Sequence, residues 1–123
     1  MSNLPAMSPT DPRLPDAQDP IPLAVVVIDD GLEVVAFVSG EIDMQTCGRL
    51  RDAIEPHLGT GQRLVLDLSG VTFMDSSCLR VLEDATTRLT ADGGSLILRN
   101  PSSATHRLLS VAGMTALFKI ETE

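Results

Sequence analysis

From residue 23 onward, the spacing of apolar side chains switches repeatedly between every second residue and every third or fourth. That alternation constrains the fold more than any other feature of the chain. Residues 23–28 are a β-branched run, Asp29-Asp30-Gly31 offers an Asp-Gly turn, and residues 32–39 resume with Val34, Val35, Phe37 and Val38, so the segment reads as a hairpin. After Gly40, the positions Cys47, Leu50, Ile54 and Leu58 make one apolar helical stripe that closes near Gly59, with Pro56 expected to distort the last turn. Residues 64–68 are a short, nearly continuous apolar strand, as found where helices cover both sheet faces or where one face packs tightly. A second helix carries Leu79, Leu82, Ala85 and Leu89, opens near Asp75-Ser76-Ser77 and ends before Gly93-Gly94. Residues 95–99 form a fourth strand, and Ser102-Ser103 can cap a helix running through Leu108 and Leu109 to Gly113. Residues 118–121 are the last strand. The order β-β-α-β-α-β-α-β predicts a single α/β domain with a mixed sheet, an N-terminal hairpin followed by parallel βα units, and helices packed on it.

The first 22 residues read differently. They hold six of the eight prolines and few branched apolar side chains, which predicts a disordered, Pro-rich N-terminal tail on a domain spanning residues 23–123. No segment approaches the roughly 20 consecutive apolar residues of a membrane helix, and no basic-then-apolar leader opens the chain. A cytoplasmic protein without a membrane partner is the expectation. The formal charge of −8 opposes direct nucleic-acid binding, which depends on Lys and Arg neutralising phosphates, and with three Phe and no Trp or Tyr the usual base-stacking platforms are missing. Two cysteines make no disulfide scaffold, and His57 and His106 stand at no metal-ligand spacing from them, so neither a metal nor a cofactor is expected.

The chemistry concentrates in two places. In Asp67-Leu68-Ser69-Gly70-Val71-Thr72-Phe73-Met74-Asp75-Ser76-Ser77-Cys78-Leu79, a strand, a loop and a helix start fall within thirteen residues. One reading makes Asp75 or Ser76 a helix N-cap and nothing more. Capping needs only one such residue, however, and a second hydroxyl at a helix N-terminus sits where a phosphate would meet unpaired N–H groups and the positive end of the dipole. The other place is Gly40-Glu41-Ile42-Asp43-Met44-Gln45-Thr46, where the second strand hands over to the first helix. Its acids are explained equally well by capping or by binding. Segments that follow parallel strands collect at one sheet edge, which brings this turn toward Asp75-Ser76.

Over residues 24–121 these motifs resemble the anti-sigma-factor antagonists of the STAS-domain superfamily. The resemblance rests on Gly40-Glu41-Ile42-Asp43 with Thr46, on the Asp67–Ser77 stretch, and on Gly113-Met114 leading into Leu117-Phe118-Lys119-Ile120. It implies a module that binds an anti-sigma factor which is also a serine kinase, and so releases a sigma factor, until that kinase phosphorylates the serine after the motif aspartate. Here that serine is Ser76. A PP2C-type phosphatase acting on phospho-Ser76 would restore binding. The resemblance also implies a partner face of Asp43, Thr46, Met74, Asp75, Ser76, Ser77 and Cys78. Two departures stand out: Cys78 occupies a position where glycine usually follows the serine pair, and the sequence ends at Glu123, where such domains commonly add a C-terminal helix.

Two other functions compete. A hydrolase using Ser76 as nucleophile needs a base, yet no Gly-x-Ser-x-Gly elbow surrounds it and each histidine reads as a surface or partly packed residue, so no enzyme activity is expected. A thiol-responsive module is the alternative, because Cys47 and Cys78 both fall in first helical turns, where thiols become more reactive. Against it stands the simpler reading of both as small apolar core residues.

Overall fold

The computed structural model describes residues 23–122, and the tail expected over residues 1–22 lies outside them. Strands β1 (Ala24–Asp29) and β2 (Glu33–Ile42) pair antiparallel. The Asp30 carboxylate holds the turn between them, accepting from the Leu32 and Glu33 amides at 2.9 Å each. Strands β3 (Arg63–Met74), β4 (Ser95–Arg99) and β5 (Lys119–Glu121) follow, each parallel to its predecessor, and the five lie in sequence order across one sheet.

Right-handed crossovers that advance one strand at a time in one direction leave every helix on the same side. The packing agrees. Helices α1 (Cys47–Ile54), α2 (Leu79–Ala91) and α3 (Ser103–Val111) send Leu50, Ile54, Leu79, Leu82, Ala85, Leu89 and Leu109 into one core with Val34, Ala36, Val38, Leu64, Leu66, Leu68, Leu96 and Leu98, the alternate residues of the central strands. Of the two arrangements the apolar strand allowed, the structure therefore has the one-sided one. On the other face Val65 and Ile97 are buried among neighbouring strands, while Val26, Ile28 and Phe37 remain exposed.

Two elements outrun their expected ends. The second strand was expected to stop at Ser39, but it continues through Gly40 to Ile42. The third was expected to stop at Leu68, yet it continues to Met74. The extensions pair with each other, Ser39 with Gly70 and Ile42 with Met74, across two register shifts. Glycine permits both. Gly40 has φ +97°, and a Cβ on Gly70 would stand 2.8 Å from the Ser39 Cβ. Pro56 acts as expected: α1 ends at Ile54 and a single 3-10 turn, Glu55–His57, takes over.

Candidate functional site

Because β2 and β3 are parallel and extended together, their ends deliver two turns to the same sheet edge. The Asp75 amide donates to the Ile42 carbonyl at 2.8 Å, which fixes the second turn against the first.

The first turn is organised by Asp43 and Thr46. The Asp43 carboxylate accepts from the Gln45 and Thr46 amides at 2.9 Å each, and these bonds, that of Thr46 foremost, hold its pKa below the ordinary carboxylate value. The Thr46 hydroxyl accepts from the Asp43 amide at 2.9 Å. Its proton lies between the Glu41 carbonyl at 2.9 Å and the Asp43 carboxylate at 3.0 Å. Both side chains that the sequence singled out here are thus occupied within the turn, which they stiffen just ahead of α1.

In the second turn Asp75, not Ser76, is the cap. Its carboxylate accepts from the Ser77 amide at 2.9 Å, and its carbonyl accepts from the Cys78 amide at the same distance. The helix does not open at Ser76, as the sequence suggested. One 3-10 turn, Ser76–Cys78, comes first and runs into α2 at Leu79. Ser76 and Ser77 are exposed, and the Ser76 hydroxyl has no hydrogen-bond partner among the described residues. The tighter turn directs the next side chain inward. Cys78 is buried, and its thiol donates to the Asp43 carbonyl at 3.2 Å.

Two expected partner-facing residues are therefore placed otherwise. Met74 is 6% exposed and belongs to the core, as its position in a strand facing α3 requires, and Cys78 at 1% points under the site and does not crowd its surface. Asp43, Thr46, Asp75, Ser76 and Ser77 do come together at one edge. Sequence reasoning missed Phe73. It is 49% exposed and, with Met74, Ala104, Arg107, Leu108 and Val111, lines an apolar groove of about 340 Å³ beside the serine turn. Strand alternation from a buried Val71 would turn Phe73 inward; the register shift that leaves Thr72 unpaired turns it outward, and local pattern carries no signal of that shift. Met44, 73% exposed, adds a second apolar side chain on the first turn.

Among the described residues neither histidine is paired with Ser76. His57 lies 3.8 Å from Asp29, at the opposite end of β2, and the exposed His106 makes no hydrogen bond to Ser76. Among the described residues no cluster of three His, Cys, Asp or Glu could hold a metal ion, and no helix is long and apolar enough to cross a membrane.

A singly wound mixed sheet that presents a capped, hydroxyl-bearing turn between β3 and α2 defines a STAS domain, and the chain belongs to this family, among the anti-sigma factor antagonists. The family described as "Mlab, STAS domain" matches residues 29–120. The anti-sigma-B factor antagonist of Listeria monocytogenes is 33% identical over 86 residues, covering 69% of this chain and 75% of that protein. An anti-sigma factor antagonist from Mycobacterium paratuberculosis superposes with a TM-score of 0.69 at 31% identity, over 81% of this chain and 86% of its own. The antagonist SpoIIAA in its unphosphorylated form gives 0.68 at 25% identity, over 81% and 90%. In its phosphorylated form, from Bacillus, it gives 0.63 at 25% identity, over 81% and 93%.

Proposed function

We propose that this chain is a cytoplasmic anti-sigma factor antagonist whose unphosphorylated form binds an anti-sigma factor that is also a serine kinase, and whose binding is switched off by phosphorylation of Ser76. The chain works by binding and catalyses nothing itself. The observation that carries the reading is the contrast inside the second turn: Asp75 does the capping, which leaves the Ser76 hydroxyl exposed and without a partner among the described residues. Such a hydroxyl can enter a kinase active site without breaking any bond the fold needs. The solved relative that exists in unphosphorylated and phosphorylated forms supports it as well.

The switch follows from charge. A phosphate on Ser76 adds about −1.5 to −2 charges beside Asp75, next to the turn that holds Asp43, in a chain already at −8. Inside the domain the positive end of the α2 dipole offsets part of this repulsion, so the fold persists. The partner bears the cost, because a surface that docks a neutral serine must hydrate the dianion or bury it without a matching cation. Unmatched buried charges cost about 2–5 kcal/mol, or roughly 30-fold to several-thousand-fold in affinity. The exposed Met44 and Phe73 supply apolar contact for the partner. A PP2C-type phosphatase would reset the module by hydrolysing phospho-Ser76.

The test is kinase treatment with ATP and the cognate anti-sigma factor, with the phosphate located by mass spectrometry in wild type, Ser76→Ala and Ser77→Ala. The expected result is a single phosphate on Ser76, lost in Ser76→Ala and kept in Ser77→Ala. Undiminished phosphorylation of Ser76→Ala would refute the assignment.

A further inference from the structure

The two cysteines meet beneath the site. The Asp43 carbonyl receives two donors, the Cys47 amide at 2.9 Å and the Cys78 thiol at 3.2 Å, so the start of α1 and the sulfur under the serine turn converge on one oxygen. Burial first, and contact with the Cys47 side chain second, push the Cys78 thiol up to about 12. Cys47 is half-buried and reaches solvent, whereas Cys78 is buried. These are a pair of thiols 31 positions apart in sequence, Cys78 within the core and Cys47 packed against its edge.

We propose that Cys47 and Cys78 are a peroxide-sensitive modification site that closes into an intramolecular disulfide, tying the first turn of α1 to the turn that carries Ser76. The regulatory meaning of that tie rests on the reading of Ser76 given above. The chemistry needs a hydroperoxide as oxidant. The Cys47 sulfur, the one that reaches solvent, attacks a peroxide oxygen as thiolate; the O–O bond breaks, leaving a sulfenic acid on Cys47 and a hydroxide that takes up a proton as water. The Cys78 sulfur then forms the S–S bond and displaces the sulfenic hydroxyl, which leaves as a second water with the Cys78 proton. Two thiols and one peroxide thus become one disulfide and two waters. The thiol that is hard to ionise resolves the intermediate and is not the first to react, in keeping with its burial. Closure removes the Cys78 bond to the Asp43 carbonyl and joins the two turns covalently.

The test uses the full reduced chain and hydrogen peroxide, followed by intact mass, non-reducing peptide mapping and amide hydrogen exchange. The expected product is a monomer lighter by about 2 Da, containing a Cys47–Cys78 linked peptide and reverting with dithiothreitol. In it the Ser77 and Cys78 amides, which donate to Asp75, exchange at least about tenfold more slowly, because cross-linked turns open less often. Cys47→Ser, a near-isosteric change at this half-buried position, should lose both effects. A Cys47 sulfinic acid about 32 Da heavier with Cys78 still a free thiol, a disulfide between two chains, or no reaction would overturn the site. A Cys47–Cys78 disulfide without slower exchange would overturn its hold on the serine turn. None of these readouts involves the anti-sigma factor, so failure here and failure of the Ser76 switch are separable.

Discussion

The two halves of β3 do different work. From Leu64 to Asp67 the strand pairs with β2 on one side and β4 on the other, and Leu64, Val65 and Leu66 are wholly buried. Beyond Asp67 the pairing with β4 ends, only β2 remains alongside, and Ser69, Gly70, Thr72 and Phe73 are exposed. One half is fixed from both sides and the other is held from one, which lets it carry Asp75 and Ser76 clear of the core while remaining hydrogen-bonded to the Asp43 turn. The inner half positions and the outer half presents.

The sharpest way to break this comparison is to truncate one residue in each half. Leu66→Ala should cost about 2–5 kcal/mol in chemical denaturation, since a fully buried leucine leaves a cavity between two flanking strands. Phe73→Ala, from the outer half, should change stability by well under half of that yet weaken association with the anti-sigma factor. Equal losses of stability would erase the distinction. Next in size is Gly70→Ala, where the new Cβ meets Ser39 at 2.8 Å; overpacking of this kind costs about 1–3 kcal/mol and should appear as lost protection of the β2 and β3 amides beyond Asp67. Asp75→Ala removes the cap on the Ser77 amide and should cost about 1 kcal/mol by thermal or urea unfolding, while the sheet itself is unaffected.

The last effect is one of pH and is absent near neutrality. Burial pushes the Cys78 thiol up to about 12 in the folded chain, against about 8.5 in an unfolded one. A pKa raised by folding means the unfolded state loses its proton first. Its stabilising contribution is complete below about pH 8.5 and declines as pH rises toward 12. Urea midpoints measured across that window should fall more steeply for wild type than for Cys78→Ala, and parallel slopes would place the thiol in contact with water.

Most of the architecture was legible because it rests on periodicity: Leu79, Leu82, Ala85 and Leu89 fall on one helical face, and every one of them is buried. The outer half of β3 was not. Ser69, Gly70 and Thr72 look like a loop to any reading of local pattern, and only pairing with the equally disguised Gly40-Glu41-Ile42 makes them strand, a long-range fact. The site divided along the same line. Asp43, Thr46, Asp75, Ser76 and Ser77 could be named from capping chemistry and the family motif; Cys78 could be read either as a partner-facing residue or as a small core residue, and a 3-10 turn that residue types do not announce puts it in the core. One-sided helix cover was equally invisible, since an apolar run such as residues 64–68 suits both arrangements.

The central claim, that the outer half of β3 presents Ser76 as a charge-operated switch, is tested most directly by the affinity of the cognate anti-sigma factor for this chain before and after stoichiometric phosphorylation. Ser76→Ala and Ser76→Asp should be titrated in parallel and their folds checked by circular dichroism. The account predicts tight binding by unmodified protein and by Ser76→Ala, at least about 30-fold weaker binding after phosphorylation, and weak binding by a fully folded Ser76→Asp. Equal affinity of the phosphorylated and unmodified chains would contradict it.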